Sequence, residues 1–314
     1  MTSLLPKVFA LLGPTAAGKT SLALALAEKY PIEIISLDSA LVYQDMDIGT
    51  AKPNAEELAN VPHHLISIIS PLQSYNAAQF VSDCLKLIKE IHARSHLPVI
   101  VGGTMMYYHA LTQGLNNLPE ADTAIRNKLN QLKQQNGTDY LYSLLQQLDP
   151  VSAQRLPAGD SQRIERALEI YYITGKPMSS QLDNRQTLQP QLDIFSLALL
   201  PENRAQLHQQ IAKRFQIMLS SGFIDEVVAL KQKYPTLHPD LPSIRCVGYR
   251  QAWDYLAGTI DQPQFIERSI VATRQLAKRQ LTWLRKLQPH LSIDPFTSPN
   301  LLDQADAAFK TFFA

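Results

Sequence analysis

The chain has 314 residues, 45% of them hydrophobic and 18% charged, with a formal net charge of +1. That balance belongs to a soluble globular protein with ample material for a core, and it excludes a disordered tail or a scaffold. Near-neutral charge gives no global attraction to a polyanion, so any phosphate or nucleic-acid site must come from local placement of residues.

In chain order, residues 8–12 (VFALL) form the first apolar strand-like run, followed by Gly13-Pro14-Thr15-Ala16-Ala17-Gly18-Lys19-Thr20 and then the helix-like SLALALA. Further strand candidates are 32–37, a shorter 64–69, and 97–101, with a covering helix over 74–94 that carries Phe80, Cys84, Leu87, Ile88 and Ile91 at helical spacing. This alternation predicts an α/β fold, a P-loop NTPase-like parallel sheet flanked by helices, with ligands gathered at the carboxyl ends of its strands. From about 119 to 190 the pattern changes to helical pieces at 122–136, 138–148, 151–155 and 161–174, the last with Asp160 as N-cap. A strand-like run at 192–200 returns the chain to the sheet. A long amphipathic stretch over 203–234, a loop over 235–248, helices around 249–257 and 263–287, and a weak terminal helix over 301–313 complete it. The expected organisation is a discontinuous core, 1–117 with 191–314, and an all-helical insertion, 118–190.

The two cysteines, Cys84 and Cys246, lie far apart in no metal-ligand spacing, which predicts two incidental buried thiols in a reduced protein and no zinc site. No secretory signal pattern opens the chain and no apolar run approaches the roughly 20 residues that span a bilayer, so a cytoplasmic protein without a membrane partner is expected.

The motif at 13–20 has the spacing G-x-x-x-x-G-K-T between strand and helix. Its glycines let backbone N–H groups converge on phosphate oxygens, Lys19 neutralises them, Thr20 offers a hydroxyl to Mg²⁺, and the helix start adds its positive end. Asp38 ends the second strand candidate and so emerges beside this loop. It can hold Mg²⁺ through water or accept a proton from an acceptor nucleophile, or it is simply a capping residue. Gly102-Gly103-Thr104 follows another strand and permits close backbone approach to a ligand. Arg214, Arg245 and Arg250 could clamp phosphate, although their positions alone do not select them. Between 245 and 285 seven bases stand against three acids, and Arg274, Lys278 and Arg285 share one helix face that could track a nucleic-acid backbone, with Trp283 as a stacking or a core aromatic. Gln162, Arg163 and Arg166 form a second basic cluster.

Taken together, these residues closely resemble the bacterial tRNA dimethylallyltransferases, also called tRNA isopentenyltransferases. The resemblance runs nearly end to end, through GPTAAGKT at 13–20, DSALVY at 38–43, MDIGTAKP at 46–53, GGTMMYY at 102–108, QRIERALE at 162–169, IRCVGYRQ at 244–251 and ATRQLAKRQ at 272–280. It implies transfer of a dimethylallyl group from dimethylallyl diphosphate to the exocyclic amine of the adenosine just 3′ of the anticodon, in tRNAs reading codons that start with U. By the same resemblance Gly13 to Thr20 bind diphosphate with Mg²⁺ at Thr20, Arg214 clamps it, and Asp38 and Thr104 stand at the reaction centre. The implied tRNA contacts, on the anticodon stem-loop, are Asp38, Ser39, Ala40, Leu41, Thr104, Arg126, Gln162, Arg163, Ile164, Glu165, Arg166, Arg245, Cys246, Val247, Gly248, Tyr249, Arg250 and the run Lys278, Arg279, Gln280, Leu281, Thr282, Trp283, Leu284, Arg285. A monomer is expected. The competing readings are a small-molecule P-loop kinase, which would consume ATP, and an RNA-binding module without catalysis.

Overall fold

A computed structural model describes residues 5–116, 118–182 and 191–314. The expected domain limits at 117–118 and 190–191, and the first four residues of the expected core, involve residues outside that set. The chain divides into two compact units, residues 1–111 with 190–314, and residues 112–189.

The larger unit starts with β1 (Lys7–Leu12), α1 (Lys19–Ala27), β2 (Ile32–Leu37), α2 (Ala55–Asn60), β3 (His63–His64), α3 (Ala77–Ala93), β4 (Leu97–Gly102) and α4 (Met105–Gln113). The smaller unit is built on α5 (Thr123–Asn136), α6 (Thr138–Leu148), α7 (Pro150–Arg155), α8 (Ser161–Thr174) and α9 (Met178–Leu182). The chain then re-enters the larger unit with β5 (Asp193–Leu199), α10 (Arg204–Ser220), α11 (Phe223–Lys233), α12 (Tyr249–Leu256), α13 (Gln262–Leu287), β6 (Leu291–Ile293) and α14 (Leu301–Phe313).

The six strands form one all-parallel sheet in the order β3-β2-β4-β1-β5-β6. β1 is central and almost wholly buried because its side chains serve two cores in alternation. Val8, Ala10 and Leu12 face the layer that holds Phe80, Cys84, Ile88 and Ile91 of α3, while Phe9 and Leu11 face Leu22 and Leu26 of α1 and Phe309 of α14. A third core in this unit gathers Val42, Tyr43 and Met46 with Phe215, Phe223, Tyr249 and Phe265. The smaller unit has its own core of Leu129, Leu141, Leu145, Ala153, Ile164, Ala167 and Leu168.

Three expectations change. The strand expected over 64–69 shrinks to His63–His64 plus a single bridge from Ile69 to Tyr43, because Leu65 and Ser67 take positive φ values of 62° and 53° that no strand accommodates. The amphipathic stretch over 203–234 breaks into α10 and α11 at Gly222, whose φ of 93° ends one helix and opens the next. The helix expected from 74 starts at Ala77, where Asn76 and Gln79 form a reciprocal cap.

Register decides where the site is. Leu12 and Leu37 are both the Cα partners of Gly102, so β1, β2 and β4 end on one line and the residues after them emerge side by side. At the opposite end of β2, Glu33 is buried and held by Arg94 (Nη2 to Oε2, 2.8 Å), His96 (2.9 Å) and His64 (2.6 Å). The Arg94 hydrogen bond, opposed by desolvation and helped by both histidines, lowers the Glu33 carboxyl from its usual 4.5 to about 2. Its stabilising contribution is therefore full above about pH 4.5 and lost as pH falls through about 2. Glu33→Gln should cost about 2–4 kcal/mol at neutral pH, because it leaves buried partners unpaired. Urea unfolding as a function of pH checks this. The mutant and wild-type stabilities should converge in strong acid, and parallel curves would count against the assignment.

Candidate functional site

The phosphate loop departs from β1 at Gly13, whose N–H donates to Gly102 O (3.3 Å). Ala16 at φ 64° and Gly18 at φ 83° turn the backbone so that α1 begins at Lys19 directly after the loop. Lys19 Nζ donates to Pro14 O at 2.7 Å and closes the ring. Desolvation, strengthened by the charge of Arg214 and opposed by that of Asp38, brings Lys19 down to about 7. Arg214 on α10 is lowered as well, by desolvation, with Asp38 opposing. Both side chains are half-buried, and two cations that disfavour each other beside a phosphate loop suit an anionic ligand, which would relieve both costs.

Arg214 reaches Thr15 Oγ1 (3.3 Å) and Thr50 O (3.4 Å), linking the loop to the MDIGTAKP segment. That segment is itself fixed from a distance. Glu226 on α11 accepts from the N–H groups of Asp47 (2.9 Å), Ile48 (2.6 Å) and Gly49 (3.2 Å) and from Tyr249 Oη (2.5 Å). Lys52, whose side chain is 5% exposed, donates to Tyr43 O, Asp47 Oδ1 and Ser67 Oγ, so it staples the segment rather than serving the cavity.

Asp38 follows β2. Its Oδ1 accepts from Ala40 N (2.8 Å) and Leu41 N (3.4 Å), so the capping role and a place at the site coexist. Across from it the Gly-Gly-Thr turn folds over β2. Thr104 N donates to Leu37 O (3.0 Å), and Thr104 Oγ1 accepts from Ser39 N (3.1 Å). A Cβ on Gly102 would lie 2.2 Å from Leu37 O, which is why no side chain is possible there.

These pieces share one cavity of about 610 Å³, entirely within the larger unit. Thr15, Ala16, Asp38, Ser39, Thr104 and Arg214 line its polar part. Tyr43, Tyr75, Met105, Tyr107, Ile211, Phe215 and Met218 line an apolar wall, and Arg245, Arg279 and Trp283 stand nearby. Arg279 and Trp283 are exposed, Trp283 beside the His109 ring. Cys246 departs from the expected pair of core thiols. Cys84 is in the core, but Cys246 is half-buried in the cavity lining, where desolvation and the Asp38 charge push its thiol up to about 12.

Among the described residues no group of three or more His, Cys, Asp or Glu side chains could hold a metal by itself. The oxygen donors at Thr20 and Asp38 still suit Mg²⁺, which keeps waters and takes substrate phosphates beside one or two protein ligands.

The sequence profile of the IPP transferase family matches residues 41–287. The chain belongs to the IPP transferase family. A tRNA dimethylallyltransferase of Neisseria meningitidis serogroup A is 61% identical over 308 residues, covering 98% of each chain. Among solved structures, the tRNA isopentenylpyrophosphate transferase of Bacillus halodurans is 34% identical with a TM-score of 0.68, covering 98% of this chain and 95% of that one. A eukaryotic dimethylallyltransferase captured acting on tRNA is 28% identical with a TM-score of 0.79, covering 98% and 79%.

Within this IPP transferase family member, the residues that the resemblance marked for tRNA divide by burial. Ser39, Arg245, Lys278, Arg279, Thr282, Trp283 and Arg285 are exposed, whereas Tyr249, Gln280, Leu281 and Leu284 are buried and offer spacing or support instead of a surface. In the smaller unit Gln162, Arg163 and Arg126 are exposed and Ile164 is fully buried. Glu169, itself 1% exposed, organises the arginines there by accepting from Arg126 Nε (2.8 Å) and Arg166 Nη1 (2.6 Å), and Lys133 holds Glu165. Sequence reasoning left Thr50, Glu226 and the apolar wall without roles. Thr50 lay inside a quoted motif, but nothing at position 226 signalled a partner 177 residues away.

Proposed function

We propose that this protein is a tRNA dimethylallyltransferase that moves the dimethylallyl group of dimethylallyl diphosphate to the exocyclic amine of the adenosine 3′-adjacent to the anticodon, in tRNAs reading codons that start with U, with release of diphosphate. One observation carries the reading. A phosphate loop, a carboxylate and an apolar wall open into the same cavity. A kinase needs the first two, but a five-carbon tail accounts for the third.

In this reading the loop from Gly13 to Thr20, through its N–H groups from Ala16 onward and with Lys19 and Arg214, receives the diphosphate and stabilises its charge as the carbon–oxygen bond breaks. Mg²⁺, held through Thr20 with Asp38 beside it, would neutralise further charge on the leaving group. Asp38 accepts the amine proton as the new bond forms, and Thr104 hydrogen-bonds at the reacting edge. The adenosine must leave its stack to reach the cavity, which costs least in a single-stranded loop, and this favours the anticodon stem-loop as partner. The larger unit serves as catalytic core and the helical unit as an additional tRNA-binding domain. No helix among the described residues is long and apolar enough to cross a membrane, and action on tRNA fits a cytoplasmic monomer.

The deciding experiment incubates the pure protein with tRNA, Mg²⁺ and labelled dimethylallyl diphosphate without ATP, then analyses the nucleosides by mass spectrometry. Isopentenyladenosine is expected. A strict requirement for ATP would favour the kinase, and tRNA binding without product would favour a non-catalytic module.

The expected basic stripe on α13 is two-thirds exposed: Lys278 and Arg285 face solvent and Arg274 is half-buried. Replacing Lys278 and Arg285 by alanine should weaken tRNA binding and reduce the slope of log affinity against log salt by about 1.5–2. An unchanged slope would remove them from the interface.

A further inference from the structure

Gln280 sits in the middle of the α13 sequence that the resemblance assigned to tRNA, yet its side chain turns inward and the residue is only 9% exposed. Its Oε1 accepts from Thr15 N at 2.9 Å, and its Nε2 donates to Gly103 O at 3.0 Å. One amide therefore joins the phosphate loop after β1 to the Gly-Gly-Thr turn after β4. Gly103 is shaped around this contact, since a Cβ there would lie 2.4 Å from Gln280 Nε2 and 2.9 Å from Gly13 O. The bridge continues through Thr104 to Ser39, next to Asp38. A backbone N–H requires an acceptor and a backbone carbonyl requires a donor. Among side chains of this length glutamine alone presents both at once.

We propose that Gln280 is a positioning residue for the transfer reaction: it sets the distance between the diphosphate loop and the Thr104–Asp38 edge, and it makes no contact with RNA. This rests on the transferase reading for its rate consequence, though not for its effect on anion binding. A misplacement of the two strand exits leaves the leaving group and the incoming amine each bound but out of line, and such geometry is where small shifts carry large rate penalties.

Two variants test it. Gln280→Met keeps length and packing and removes both hydrogen bonds. Gln280→Glu keeps the acceptor for Thr15 but sets a carboxylate against the Gly103 carbonyl, and it carries the test if the Met variant fails to fold. Three quantities are measured: affinity for inorganic diphosphate with Mg²⁺, affinity for an anticodon stem-loop RNA, and the single-turnover transfer rate with both substrates saturating. The saturated rate should fall roughly 100-fold and diphosphate affinity roughly tenfold, while RNA affinity stays within about twofold. A merely structural role would not divide the effects this way. Wild-type diphosphate affinity and saturated rate, with the loss confined to RNA affinity, would make Gln280 an RNA contact and overturn the proposal. If the wild-type protein transfers no prenyl group, the functional reading falls, and the diphosphate measurement still decides the role of Gln280.

Discussion

Asp38→Asn is expected to lower single-turnover prenyl transfer by roughly 10²–10⁴-fold at saturating substrates, the span that a lost general base costs, with tRNA affinity close to wild type. The choice of asparagine follows from the geometry. Asp38 Oδ1 caps the N–H groups of Ala40 and Leu41, and an amide oxygen at the same place keeps that turn while it removes the basic carboxylate. Asp38→Ala should lose the rate to a similar extent and also loosen residues 38–41, so that a modest loss of tRNA affinity accompanies it. The pair separates two roles joined in one side chain. If the Asn variant turns over at the wild-type rate, Asp38 is a cap and the proton acceptor lies elsewhere.

Much of the fold could be read from local pattern, because a buried parallel strand announces itself as an apolar run and a phosphate loop requires glycine and lysine at fixed spacing. Four of the described helices of the smaller unit, α5 to α8, were visible in the pattern, and Asp122, Asp149 and Asp160 cap three of them, whereas the five-residue α9 was too short to show a period. Position at the site was partly legible too. Asp38 and Gly102 end strands, and residues that end neighbouring parallel strands meet. What could not be read was support from a distance. Glu226 gathers three N–H groups of the MDIGTAKP segment from 177 residues away or more, and Gln280 bridges Thr15 and Gly103 from another helix. In the sequence each is a polar residue on an amphipathic helix, indistinguishable from a solvated one. Motif resemblance grouped Gln280, Leu281 and Leu284 with exposed neighbours because a helix carries both faces through one run of residues.

Lys19→Ala is expected to lower transfer by roughly 10²–10³-fold and to weaken dimethylallyl diphosphate binding, with tRNA affinity unchanged. The structure gives the reason for both parts. Lys19 stands at the first turn of α1, where the helix end and the loop N–H groups already favour an anion, and its half-buried ammonium feels the charge of Arg214. Charge that develops on a departing diphosphate would meet this preorganised pair, so removal of one cation costs more in the transition state than in the ground state. Arg214→Lys provides the contrast. It keeps one positive charge but gives up the fork that reaches both Thr15 Oγ1 and Thr50 O, so it should impair donor binding without restoring the wild-type rate. Binding of a non-hydrolysable donor analogue, measured beside single-turnover rates, checks both variants. Equal losses in donor affinity and in rate at subsaturating donor, with a full rate at saturation, would reduce Lys19 to a ground-state anchor and leave leaving-group stabilisation to Mg²⁺ and the loop backbone.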